Sequence, residues 1–181
     1  MTDKLNIYNV SQRYYNYIRR YDNKVPYLMH GKENRPFIGI VLSINDCLYF
    51  APLTSPKLKH LHMKNMLDFH KIDEGKLGAI NFNNMIPVPR SELREVNLEE
   101  SILDSFDTKK YKTLLKNQKE WCNYNRLNII DKATKLYNII DEPAMYKLRK
   151  RCCDFKLLEE KCKEYEAGLT LNRQKISEIE L

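Results

Sequence analysis

Only five glycines and seven prolines occur in 181 residues, which excludes a collagen-like or low-complexity chain. No run approaches the roughly 18–20 consecutive apolar residues of a membrane-spanning helix, so no membrane association is expected. Met1 to Val10 lacks the apolar centre of a signal peptide, which predicts a cytoplasmic protein. The five cysteines (Cys47, Cys122, Cys152, Cys153, Cys162) are odd in number and form no CxxC pair, which argues against a disulfide framework or zinc ribbon. Cys152 and Cys153 are adjacent on a helical run, so their side chains diverge by about 100°, and all five read as packing residues. GxxxxGK[ST], GxGxxG, HExxH and GxSxG are absent. His60-x-His62 has no third ligand at a recognised spacing, so neither a metal nor another cofactor is predicted. The acid pairs Asp73-Glu74 and Glu99-Glu100 read as solvated turn residues.

What the chain does have is basic charge in one half. Thirty-one Lys and Arg face 24 Asp and Glu, a net +7. Residues 1–90 hold 13 basic and 7 acidic residues (+6), and residues 91–181 hold 18 and 17 (+1). All four His also lie in the first half. Such an imbalance points to a polyanion site in the N-terminal half. The length suits one domain over 1–181, with 43% hydrophobic residues to build its core. Residues 1–90 are expected to carry the strands and the site, 91–168 the helices, and 169–181 a tail.

Local patterns give an α+β chain. Ser11 caps a short helix over 11–21 with Tyr14, Ile18 and Tyr21 on one stripe. Residues 22–35 are turn-rich and basic, a loop. Pro36–Ile44 and Cys47–Leu53 flank Asn45-Asp46 as a hairpin, apolar nearly throughout and therefore central to a barrel or covered sheet. A second hairpin turns at Asp73-Glu74-Gly75 between Phe69–Ile72 and Leu77–Asn81, and Met85–Val88 is a short edge strand. Helices follow: Thr108–Asn125 behind an Asp107 cap, with Tyr111, Leu114, Leu115, Trp121 and Cys122 on one face; a run to Ile140; one starting at Asp141 and Pro143; and one capped by Asp154 with Phe155, Leu158, Cys162 and Tyr165, ending at Gly168.

Thr54-Ser55-Pro56-Lys57 closes the buried hairpin strand. Pro56 stops ladder pairing and forces the chain out of the sheet. Two hydroxyls and an ammonium within four residues suit a phosphate, since hydroxyls donate hydrogen bonds and Lys supplies charge. The plain alternative is a strand terminus with turn-forming polar residues and a solvated Lys. The next stretch, KLKHLHMKNM, adds Lys59, His60, His62 and Lys64 without an acid. Upstream, Tyr8, Tyr14, Tyr15, Tyr17, Tyr21 and Tyr27 are interleaved with Arg13, Arg19, Arg20, Lys24, Lys32 and Arg35. Single-stranded nucleic acid is held this way: bases stack on rings and cations follow the backbone.

The runs DNKVP (Asp22–Pro26), RPFIGIVL (Arg35–Leu42), FAPLTSPK (Phe50–Lys57) and LGAINFNNMIPV (Leu77–Val88) resemble the ToxN/AbiQ family, endoribonuclease toxins of type III toxin–antitoxin systems. The resemblance spans about residues 6–90 and extends over the helical half by pattern alone. It implies a compact antiparallel β-barrel of the Kid/MazF-like kind with packed helices, and metal-independent cleavage of adenine-rich RNA. It implies an inhibitor made of a repeated RNA pseudoknot that the toxin processes and binds in a closed assembly, often a triangular hexamer. Thr54, Ser55 and Lys57 match the family's hydroxyl-and-lysine strand end, Tyr14 its helix tyrosine, and Arg35 a position where Lys is common. These five form the expected catalytic set. Lys59, His60, His62, Lys64, Arg13, Lys32 and Asn81 form the expected RNA-binding set, with His60 a proton carrier by its ordinary pKa. The reaction would be attack by the RNA's own 2′-OH. The competing reading is a basic RNA-binding protein without catalysis. Lys147, Arg149, Lys150 and Arg151 form a further basic cluster that either meets RNA or is a solvated helix face.

Overall fold

The computed structural model describes residues 4–26 and 35–179. Tyr27, His30 and Lys32, with the rest of 27–34, lie outside the described residues. Strand β1 (Asn6–Val10) leads into helix α1 (Gln12–Arg19), whose Ser11 hydroxyl accepts from the Tyr14 N–H at 3.2 Å, the expected cap. Strands β2 (Phe37–Ile44) and β3 (Cys47–Thr54) form the expected hairpin. Asn45 and Asp46 both take positive φ, 50° and 61°, as a twist-matched two-residue turn requires. Helix α2 (Leu58–His62), β4 (Phe69–Lys71), β5 (Ala79–Asn81), β6 (Ile86–Pro87) and β7 (Leu93–Glu95) come next. The remainder is helical: α3 (Phe106–Tyr124), α4 (Arg126–Ile139), the single-turn α5 (Tyr146–Arg149) and α6 (Phe155–Ile179).

The strand order is β4-β5-β3-β2-β1-β7, with β6 also on β3, and every pairing is antiparallel. The expected closed barrel is not formed by the described strands, because the end strands β4 and β7 do not pair. The path ends at β4 and β7, and the short β6, on β3, is joined to β7 by only Val88–Glu92, a span of at most ~20 Å. Helix α6 packs on β6, β3 and α1, α4 on β2, and α3 on β1 and α4. The core between them includes Phe37, Tyr49, Phe50, Ile80, Leu136 and Leu158. All five cysteines are buried and unpaired, in keeping with packing roles.

Several local expectations give way to specific contacts. The α3 cap is Ser105, whose hydroxyl accepts from the Thr108 N–H, so Asp107 lies inside the first turn. Pro143 opens only a 3-10 turn, Pro143–Met145, and one turn of α5, because Glu142 makes no side-chain cap bond. Asp154 does cap α6, accepting from the Leu157 N–H at 3.1 Å. That helix runs through Gly168 to Ile179 rather than stopping there, since a single glycine lowers helix propensity without breaking the backbone ladder. The sequence pattern had not marked β1 or β7, whose residues are mixed polar and apolar.

Candidate active site

Strand β3 delivers its last residues to the surface from a buried interior: Phe50–Leu53 are buried, and Ser55 to Lys59 are exposed. The exit is fixed by contacts on several sides. The Thr54 hydroxyl donates to the Ala79 carbonyl at 3.3 Å, inside the Thr54↔Ala79 pair of the β3/β5 ladder. The Thr54 carbonyl accepts from the Gln118 amide of α3 at 3.2 Å, and the same nitrogen reaches the Leu77 carbonyl at 2.6 Å. Gly78, at φ +99°, lies so close that a Cβ there would overlap the Thr54 carbonyl oxygen. The His60 N–H donates to the Lys57 carbonyl at 2.8 Å, turning the chain into α2. Ser55 and Lys57 therefore stand exposed on a clamped backbone, whereas the Thr54 hydroxyl is partly committed to the ladder.

Arg35 joins this end. The Leu53 N–H donates to the Pro36 carbonyl at 2.8 Å, continuing the Phe37↔Pro52 register. Arg35 thus comes opposite Thr54. It is half-buried, and its charge pulls against the burial that pushes the Tyr15 phenol up. Lys59, His62 and Lys64 are exposed on and after α2. Asn81 is half-buried at the end of β5, opposite Phe69.

His60 points inward at 2% exposure, its ring centroid 5.9 Å from that of Phe69, and its buried Nδ1 has no partner. Burial first, then the charges of Lys59 and Lys57, lower its pKa, so the ring is neutral near pH 7.

Two sequence candidates are engaged elsewhere. Tyr14 is fully buried, donates to the Pro87 carbonyl at 2.7 Å and meets Tyr165 edge-on at 5.0 Å. Burial above all raises its phenol pKa. A ring packed on every side offers no face to a base, so Tyr14 stands here as a core residue tying α1 to β6. Arg13 is paired with the buried Glu92, which also accepts from Ser11 and from Tyr165 at 3.2 Å. The Lys147–Arg151 cluster is similarly dispersed. Arg151 grips the buried Asp68, Arg149 donates to the Asp141 carbonyl at 3.3 Å, and the Lys150 ammonium sits 4.5 Å over the Tyr146 ring.

Sequence reading missed Gln118 and Gly78, the residues that hold the strand end. Gln118 had one signal, an amide on the apolar stripe of α3 between Leu115 and Cys122. Among the described residues no group of three or more His, Cys, Asp or Glu stands placed to hold a metal ion.

Residues 6–163 match the family model of the toxin ToxN of type III toxin–antitoxin systems. An endoribonuclease ToxN of Bacillus thuringiensis subsp. kurstaki is 33% identical over 172 residues, covering 91% of this chain and 87% of its own. A solved type III toxin, selectively inhibited by a non-coding RNA pseudoknot, superposes with TM-score 0.76 at 31% identity, covering 91% of this chain and 99% of that one. AbiQ, a lactococcal anti-phage endoribonuclease of the type III class, superposes with TM-score 0.77 at 27% identity, covering 91% and 99%. With a family match across most of its length and relatives aligned nearly end to end, the chain belongs to the ToxN family of type III toxin–antitoxin toxins.

Proposed function

We propose that this endoribonuclease toxin cuts RNA at the exposed end of β3 by a metal-independent route. The observation that carries this reading is the strand end itself, where Ser55 and Lys57 are solvent-facing on a backbone clamped by Gln118 and Gly78. Pre-positioned donors of this kind are what phosphoryl chemistry asks of a protein when the nucleophile belongs to the substrate. In the proposed step the 2′-OH oxygen bonds to the adjacent phosphorus and loses its proton. The P–O5′ bond breaks and the leaving oxygen takes up a proton, which leaves a 2′,3′-cyclic phosphate and a 5′-OH. Lys57 and Arg35 neutralise charge on the phosphoryl oxygens. Ser55 donates to one of them, and Thr54 sets the backbone from which Ser55 projects. His60 sits behind this surface, with its buried Nδ1 unpartnered and available to a proton. Lys59, His62, Lys64 and Asn81 flank the phosphate path, with adenine-rich RNA the expected substrate.

Inhibition by a repeated RNA pseudoknot, which the toxin processes and holds in a closed protein–RNA assembly such as a triangular hexamer, belongs to the same proposal. So do growth arrest during phage infection and action in the cytoplasm. The support is the family and its structural neighbours. The test is cleavage of a labelled RNA by purified parent, Ser55→Ala and Lys57→Ala proteins in EDTA, with analysis of the product ends. Loss of cutting in both folded variants and a cyclic phosphate are expected. Undiminished cutting by either variant, a requirement for Mg²⁺, or a plain 3′-hydroxyl would overturn the assignment.

A further inference from the structure

Helix α2 is turned inside out. A surface helix normally buries its leucines and exposes its histidines. Here His60 is buried at 2% exposure, while Leu58 and Leu61, one turn apart on the same side, are 82% and 46% exposed. Keeping two leucines in water forgoes the favourable transfer that burial would give. The structure had an alternative within the same five residues and did not take it. Exposed apolar groups clustered beside a functional surface mark a contact made with something else.

The charge around them says what. No Asp or Glu occurs between Asp46 and Asp68, and that acid-free stretch contains Lys57, Lys59 and Lys64; the acids of the 3-10 turn packed against α2, Asp73 and Glu74, are paired with Lys76 at 3.7 Å and Lys71 at 3.0 Å. The exposed side chains of Lys59 and His62 form the third side of α2. A two-fold contact centred on α2 would set Lys57, Lys59 and Lys64 against their own copies, which disfavours self-association through this face. A polyanion with apolar faces satisfies both halves of the surface. Single-stranded RNA is such a ligand, because its bases are free to leave the stack and rest on a protein while its phosphates meet cations.

We propose that Leu58 and Leu61 form an apolar ridge on which unpaired bases rest beside the phosphate held at Ser55 and Lys57. This rests on the endoribonuclease reading and deepens it. The cations would fix the backbone, and the ridge would require bases that are unpaired, so it selects single-stranded over duplex RNA. Sequence choice then depends on how well the flanking bases cover two leucines, a contact with no hydrogen-bonding demand.

The test is binding of full-length protein to a single-stranded RNA of about twelve nucleotides, 2′-O-methylated so that it cannot be cut, measured by fluorescence anisotropy across a series of KCl concentrations. For Leu58→Ser/Leu61→Ser the dissociation constant is expected to rise about tenfold at every salt concentration, with the slope of log K against log[KCl] unchanged because no phosphate contact is lost. Lys59→Ala/Lys64→Ala is expected to reduce that slope by about 1.4. An oligonucleotide with abasic residues is expected to bind parent and leucine variant alike. Unaltered melting shows that the variant is folded. Parent-like binding by the leucine variant, a reduced salt slope, an equal penalty on abasic RNA, or no binding by the parent would each overturn the ridge. Loss of self-association or of retention on anionic vesicles, with RNA binding unchanged, would do the same. Cutting is read separately: a chain that shows the ridge effect but cuts nothing refutes the enzymatic reading alone, and one that cuts but shows no effect refutes the ridge alone.

Discussion

Gln118 of α3 holds Thr54 of β3 through a side chain that is 1% exposed, its amide nitrogen 3.2 Å from the Thr54 carbonyl and 2.6 Å from that of Leu77. The two carbonyls belong to different segments, the end of β3 and the turn leading into β5. One amide therefore joins them to a helix from the other half of the chain. Ser55 comes immediately after Thr54, so its direction is set by a residue 63 positions later in the sequence.

Replacing Gln118 with Leu keeps the bulk and removes both donors. Two part-buried carbonyls then lose this donor, at about 1–2 kcal/mol each. We expect a stability loss of about 2–4 kcal/mol by urea denaturation, with kcat for RNA cleavage falling and KM little changed, because the phosphate-facing cations remain. Gln118→Glu should recover part of the rate as pH is lowered, since a protonated carboxyl regains one donor. Equal kcat in parent and Gln118→Leu would show that the strand end does not need the clamp.

Gly78 bounds the same carbonyl from the other side. Its φ of +99° disfavours any L side chain, and a Cβ would occupy the space of the Thr54 oxygen, a backbone atom that no rotamer change can move. Gly78→Ala should cost about 2 kcal/mol or more and displace Ser55. Expected is a lower melting temperature together with cleavage lost at temperatures where the variant remains folded. A folded Gly78→Ala protein with parent activity would show that the tight approach is dispensable.

The hairpins, the α1 cap and the exposed strand end were legible in the sequence because each is local: Asn45-Asp46 sets a turn, Pro56 ends a ladder, and Ser11 caps the helix that begins beside it. The clamp was not, because Gln118 reaches Thr54 only after α3 has packed. Tyr14 shows the opposite difficulty. Its neighbours are basic and aromatic, a pattern shared by RNA-binding surfaces and by aromatic cores, and only the packing of α6 against α1 decides between them. Arg13 looked free until Glu92, 79 residues away, arrived beside it.

Tyr14→Phe separates the two roles for that residue. Loss of the hydroxyl removes the 2.7 Å bond to Pro87 and leaves a buried carbonyl unpaired. About 1–2 kcal/mol of stability should disappear, while cleavage by the folded variant stays within about twofold of the parent. A folded Tyr14→Phe protein that has lost cleavage by orders of magnitude would place this hydroxyl in the chemistry and show that its packing opens in solution.

His70 gives the fold a sensitivity to acid. Its Nδ1 lies 2.7 Å from the Lys132 ammonium, and its ring faces Trp121 at 5.6 Å. Burial first, then the Lys132 charge, lower its pKa from 6.5 to about 4. His60 is shifted in the same direction. A histidine with a depressed folded-state pKa takes up its proton more readily in the unfolded chain. Between about pH 6.5 and pH 4 the unfolded state therefore binds more protons, and stability falls as pH is lowered through that window. Asp104, whose pKa is held down first by its hydrogen bond from Lys112, adds a loss only below its ordinary value of 3.8. Thermal melts between pH 7 and pH 5 thus report mainly on the histidines. His70→Asn retains an oxygen to accept from Lys132 and removes the titration, so its melting temperature should decline less steeply with acid than the parent's. An unchanged decline in the Asn variant would assign the acid sensitivity to other groups, His60 first.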